Sequence, residues 1–178
     1  NYNIYDRQVA NETVDWLATH GNQEEPWVLF VSMVAPHFPL IAPKEFYDLY
    51  SHLDLMPTKP RENPEHPWHQ AMRECQIMDN FTPEKTRVAL ASYYGLVTFV
   101  DDLIGKILQV VDQKNLHDNT QIFYLSDHGD NIGERDFWGK SNFYEESVGV
   151  PCIIKGPNIC LLYTSDAADE SCSVDLGG

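Results

Sequence analysis

Ile122-Phe123-Tyr124-Leu125-Ser126-Asp127-His128-Gly129-Asp130 is the stretch on which the reading of this chain turns. A β-rich apolar run stops abruptly at two side chains able to ligate a metal, followed by a glycine. Asp127 offers a hard carboxylate oxygen and His128 an imidazole nitrogen, and Gly129 lets backbone approach without a Cβ. Taken alone, the tripeptide reads more readily as a turn with a capping aspartate than as a metal site. What lies on either side decides between the two.

Upstream, Thr82-Pro83-Glu84 is a helix start: a hydroxyl cap, proline at the first helical position and an acid facing the dipole. Leu90, Tyr93, Val97, Val100, Ile104, Ile107 and Val111 then recur in steps of three and four, which predicts a long helix with one apolar face. Downstream, residues 150–154 read as a strand stopped by Gly156-Pro157. Nearer the N-terminus, residues 6–19 carry Val9, Val14 and Leu17 at helical spacing, with Gly21 as a stop. Residues 27–34 form a continuous apolar run, as expected of a strand covered on both faces. Ala35-Pro36-His37-Phe38-Pro39 ends it, the prolines holding His37 in an extended loop.

Strand, helix, strand is the rhythm of an α/β fold, with a mostly parallel sheet flanked by helices. In such sheets ligands bind beyond the carboxyl ends of the strands, where both His37 and the Asp127-His128 pair would sit. Between them, residues 44–50 suit a short helix, and residues 52–81 form a proline-rich excursion. Pro57, Pro60, Pro64 and Pro67 exclude regular structure over residues 56–69. His66-Pro67-Trp68-His69 in this excursion reads as a packed loop or as a rim that touches substrate.

The chain has 178 residues, 27 acidic against 12 basic, a net charge of −15 and a pI near 4.6. A field of that sign repels nucleic-acid backbones and anionic membranes, so neither is expected as a partner. An anionic substrate needs a local cation to overcome it, and Lys140 is the candidate. The apolar run at 27–36 is about half of the roughly 20 residues that span a bilayer, so no membrane span is expected. Cys75, Cys152, Cys160 and Cys172 form no CxxC pair. The opening Asn1-Tyr2-Asn3-Ile4 has no signal-peptide character, and the chain is expected to begin within a longer protein.

Ser126-Asp127-His128-Gly129-Asp130, Gly133, Trp138-Gly139-Lys140-Ser141, Tyr144-Glu145-Glu146-Ser147 and Val150-Pro151 resemble, in order, the C-terminal signature region of the sulfatase branch of the alkaline phosphatase superfamily. Phe30-Val31-Ser32 with Ala35-Pro36-His37, Ala42-Pro43, Tyr94-Gly95 and Asp102-Leu103-Ile104-Gly105-Lys106 extend the likeness over most of residues 1–159. A histidine after the metal aspartate is similar to the choline-sulfatase and phosphonate monoester hydrolase side of the family. The resemblance implies that residues 1–159 are a C-terminal portion of a sulfatase catalytic α/β domain, a partial alkaline phosphatase-like core. It further implies that Asp127 and His128 ligate a divalent metal, Ca²⁺ first, Mn²⁺ or Mg²⁺ otherwise. Lys140 would neutralise sulfate oxygens, and His37 would hydrogen-bond the sulfate or leaving-group oxygen. His66, Trp68 and His69 are candidate substrate contacts. Glu145 and Glu146 are read as structural, at a turn after the lysine.

Family sulfatases attack a small-molecule sulfate ester with a formylglycine made from a Cys/Ser-x-Pro/Ala-x-Arg motif. No cysteine here stands in that motif, so the expected enzyme, a sulfuric ester hydrolase, would have its nucleophile elsewhere, and these residues alone are expected not to turn over. A phosphonate or phosphate mono- or diester hydrolase built on the same residues is the alternative, and a non-catalytic acidic binding module is the alternative from another class. A homo-oligomer is compatible with the full-length protein. From Cys160, residues 160–178 resemble the in-frame translation of a sequencing-library adaptor, and they are excluded from fold reasoning.

Overall fold

The computed structural model describes residues 2–75, 81–157 and 159. The tail at 160–178 lies outside the described residues. In chain order the elements are α1 (Tyr2–His20), α2 (Lys44–Tyr47), α3 (Pro67–Cys75), α4 (Pro83–Gln113), β1 (Ile122–Leu125), a 3-10 turn (Glu134–Asp136), α5 (Glu145–Val148) and β2 (Cys152–Lys155).

α4 is the spine. Thr82 caps it by accepting from the Lys85 amide at 3.3 Å, with Pro83 in the first turn, as the sequence predicts. Leu90, Val100 and Val111 of the predicted stripe are buried and Val97 is exposed, while the buried face widens to Leu96, Phe99 and Leu103. The reason is that α4 packs on two elements at once, α1 and α2. Ala10, Leu96, Phe99 and Leu103 form one core cluster, with Met33, Ala35, Leu40, Ala42 and Phe46 against it. Leu17, Val110, Val111 and Leu116 form the second, with Trp16, Trp27, Leu29 and Ile122. Gly95 permits the α2 contact, because a Cβ there would meet Ala42 Cβ at 3.0 Å and the Phe46 backbone at 3.1 Å. Among the described residues α4, not residues 27–36, is the helix long and apolar enough to cross a bilayer. Its packing against α1 and α2 is that of a core helix, which passes the same test.

The expected parallel sheet is not what the described residues form. They hold a two-stranded antiparallel pair, β1 with β2, in the register Ile122↔Lys155 to Leu125↔Cys152. Residues 27–34 run extended without a ladder partner among the described residues. Nor are the strands covered on both faces. Trp27, Leu29, Val31 and Met33 are half-buried toward the helices, while Val28 and Phe30 are 98% and 89% exposed. Phe123, Leu125 and Ile153 are likewise exposed. A strand repeats every two residues, so helices on one side bury alternate side chains only.

Two further expectations change. His37 lies in a tight turn closed by its amide donating to the Val34 carbonyl at 3.0 Å, not in an extended loop. The proline-rich excursion does acquire helix: α3 begins at Pro67, whose missing N–H costs nothing at a first helical position. His66 precedes it, with Nδ1 accepting from the Trp68 amide at 3.1 Å and its carbonyl accepting from His69 and Gln70.

Candidate metal and oxyanion site

The loop after β1 is braced from within. Both Asn131 N–H donors, backbone and side chain, reach the Gly139 carbonyl, at 2.7 and 2.6 Å. Asp130 Oδ1 accepts from the Ile132 and Gly139 amides, each at 2.9 Å. Asn142 Nδ2 donates to Asn131 Oδ1 at 3.2 Å, and Asn131 is fully buried. Gly139, at φ +72°, closes the loop in the left-handed region that glycine adopts without a Cβ clash. This bracing brings Lys140 back beside His128. Gly129 makes the other close approach: its amide donates to the Ser147 carbonyl at 2.8 Å, and a Cβ there would collide with the Glu146 carbonyl oxygen.

At the centre, Lys140 Nζ touches His128 Nε2 and lies 3.4 Å from His37 Nε2. The two imidazole rings stand 5.8 Å apart, edge to face. Each ring turns its Nδ1 to a backbone carbonyl: His37 to Phe38 at 2.9 Å, His128 to Gly129 at 2.7 Å. Carbonyls only accept, so the Nδ1 atoms carry the protons and the Nε2 atoms face the centre. Asp127 Oδ2 lies 3.6 Å from His128 Nε2, and its side chain is 87% exposed. His37, Asp127, His128 and Lys140 thus meet in space.

The three candidates of the excursion divide. His66 is engaged at the start of α3. His69 meets the Tyr144 hydroxyl at 3.0 Å and stacks on its ring. Trp68 is exposed and lines a pocket of about 330 Å³ with Ala71, Met72, Cys75, Lys140 and Ser141.

The excursion is riveted to the site loop by charge. Glu134 accepts from the Thr58 and Lys59 amides, and Arg73 donates to the Arg135 and Asp136 carbonyls at 2.5 and 3.1 Å while lying over the Phe137 ring. Glu146 pairs with Lys59 and, at 2.8 Å, with Arg135. Burial raises the Glu146 pKa, but the hydrogen bonds from Lys59 and Arg135 outweigh it and bring the group down to about 2. A depressed folded value contributes stability that is complete above the ordinary carboxylate range and is lost as pH falls toward about 2. The contribution is at most about 3 kcal/mol. Glu146→Gln is therefore expected to lower the Tm near neutrality and to flatten its fall between about pH 4.5 and pH 2, as followed by circular dichroism. These contacts agree with a structural role for Glu146.

Sequence reasoning missed the braces Asp130 and Asn131, and it missed Asp6. Asp6 lies on α1, fully buried, and its two carboxylate oxygens accept from the Val34 and Ala35 amides at 2.8 and 2.9 Å. The signal was present: Asp6, Ala10, Thr13 and Leu17 form the buried stripe of α1, and an acid on such a stripe needs a partner.

This geometry meets an independent finding: the family description "Sulfatase" matches residues 1–166. The chain belongs to the sulfatase family. A choline-sulfatase of Rhizobium meliloti is 32% identical over 188 aligned residues, covering 98% of this sulfatase chain and 37% of that protein. An arylsulfatase of Clostridium perfringens is 31% identical, covering 84% of this chain and 31% of the relative. The structure of a phosphonate monoester hydrolase from Silicibacter pomeroyi superposes with a TM-score of 0.72 at 27% identity, covering 84% of this chain and 33% of that one. The sulfatase chain thus spans about a third of the length of these relatives. Their alkaline phosphatase-like fold is the frame into which these helices and strands fit.

Among the described residues, no three His, Cys, Asp or Glu side chains converge as a metal cage. Asp127 and His128 nevertheless suit part of one. Donors on adjacent corners around an ion with 2.3–2.6 Å bonds lie about 3.3–3.7 Å apart, which includes their separation. The proton on His128 Nδ1, held by Gly129, leaves the Nε2 lone pair for a metal.

Proposed function

We propose that these residues form the metal, lysine and histidine part of a sulfuric ester hydrolase acting on small-molecule sulfate monoesters. The observation that carries this reading is the approach of Lys140 Nζ to both Nε2 atoms, from His37 at the end of one extended segment and His128 at the end of another. A metal held by Asp127 and His128 would supply Lewis acidity toward anionic oxygens, with Ca²⁺ first and Mn²⁺ or Mg²⁺ otherwise. The family resemblance implies a formylglycine nucleophile beyond these residues.

The chain's own groups have separable tasks. The His128 Nε2 lone pair that Lys140 faces is also the one that would hold a metal. Lys140 would serve a sulfate oxygen, where a local cation works against the net charge of −15. His37, with Nδ1 held by Phe38, in its acid form directs the Nε2 proton toward the leaving oxygen and returns an alcohol. The pocket beside Lys140, with Trp68 and Met72, supports a place for the alcohol's apolar part.

The phosphonate monoester hydrolase of Agrobacterium radiobacter, with a TM-score of 0.69 at 25% identity, favours a second reading, the same groups acting on phosphorus. Assaying the full-length protein on an aryl sulfate, choline sulfate and an aryl phosphonate monoester separates the two. The sulfatase reading expects kcat/KM on one of the sulfates to exceed that on the phosphonate by about 10-fold or more, a difference of about 1.4 kcal/mol. The reverse order overturns it in favour of the second.

A further inference from the structure

The structure points to Asp6 as the residue that aims His37. We propose that its carboxylate is a positioning group for the acid of the reaction, an inference that rests on the sulfatase reading above.

Asp6 is remote in sequence from every site residue and touches none of them. It is 0% exposed, in the buried stripe of α1 with Ala10 and Leu17, where an apolar side chain would serve packing better. A carboxylate in that position is costly unless its oxygens are bonded. Both are, and both partners are backbone amides at the mouth of one turn: Val34 at 2.8 Å and Ala35 at 2.9 Å. The Val34 carbonyl in turn receives the His37 amide at 3.0 Å. One rigid helix thus fixes the peptide units from which the His37 turn starts. The ring that leaves this turn places Nε2 3.4 Å from Lys140 Nζ. α1 is itself anchored on α4, through the core cluster containing Ala10 and Phe99. The pair of bonds therefore refers the position of His37 to the most extensive packing in the molecule. Asp6→Asn keeps the shape but presents a donor NH₂ to one of two donor amides, so one amide loses its acceptor and the turn is pushed away.

Misplacing a reacting group by about 1 Å costs on the order of 100-fold in rate. Asp6→Asn in the full-length protein is expected to lower kcat on an alkyl sulfate by about 10- to 100-fold, with KM little changed. The loss should be smaller on 4-nitrophenyl sulfate, whose leaving group needs less protonation. The decisive comparison is a double-mutant cycle with His37→Ala. If Asp6 acts through His37, Asp6→Asn adds less than about two-fold in the His37→Ala background, while Asp6→Glu, keeping both acceptors, recovers part of the rate. Full additivity in the cycle overturns the inference and leaves Asp6 a structural residue. Should Asp6→Asn not fold, the same cycle run with Asp6→Glu decides on the same criterion. Lys140→Ala is the control. If it is inactive and the cycle is additive, only the role of Asp6 falls; if it hydrolyses at the wild-type rate, the sulfatase reading falls and takes this inference with it.

Discussion

Lys140→Ala is expected to lower sulfate-ester hydrolysis by the full-length protein by about 10³-fold in kcat/KM, the upper range for removing one preorganised oxyanion partner. The effect should be large because this cation works against the field of a strongly acidic chain. It is also the group through which the site is joined, with His37 and His128 both facing its ammonium. The fold should be indifferent, since the side chain is exposed and the loop that presents it is braced by Asp130 and Asn131. A thermal melt coincident with wild type, alongside steady-state kinetics on 4-nitrophenyl sulfate, checks both halves. Wild-type kinetics would show that Lys140 is an ordinary surface lysine.

Asp127→Ala is expected to cost a similar factor, about 10³-fold, for a different reason. The several kcal/mol that a Lewis acid contributes depends on keeping the ion, and Asp127 is the hard oxygen donor of the pair. The carboxylate is 87% exposed, and the hydrogen bond found for it is from the adjacent His128 amide at 3.1 Å. Its removal should change stability by less than about 0.5 kcal/mol. Titration calorimetry with Ca²⁺ distinguishes this variant from Lys140→Ala: Asp127→Ala loses affinity for the metal, whereas Lys140→Ala keeps or gains it, because the ammonium no longer competes for His128. Equal loss of affinity in both variants would contradict the assigned division of labour.

The site was more legible in the sequence than the sheet was. Asp127, His128, Lys140 and His37 stood out through the ordered motifs around them, since alone the Asp-His-Gly tripeptide reads as a capped turn and Lys140 as a surface lysine. The capped start of α4 was legible for a similar reason, since Thr82 and Pro83 act locally. Its buried face was legible in part: Leu90, Val100 and Val111 are buried as the period predicts, but the contacts to α1 and α2 that widen the face to Leu96, Phe99 and Leu103 are tertiary. Strand direction was illegible in principle. An apolar run such as residues 27–34 states that a strand can be buried, not which neighbour it pairs with or whether both faces are covered. Val28 and Phe30, nearly fully exposed here, carry that ambiguity. Pro67 was misread because a proline that breaks a helix interior also begins a helix well. Among the rim candidates only Trp68 reaches the pocket beside Lys140, because the helix that begins at Pro67 turns His69 to Tyr144.

The central claim is that Asp127 and His128 hold a divalent metal beside a lysine that serves the substrate anion. Anomalous diffraction at the manganese edge, from crystals of the full-length protein soaked in Mn²⁺, tests it without reference to turnover. The expected result is a single strong peak within about 2.6 Å of both an Asp127 carboxylate oxygen and His128 Nε2, with Lys140 Nζ withdrawn from that nitrogen. A peak bonded to neither residue, or no peak in this loop, would contradict the account.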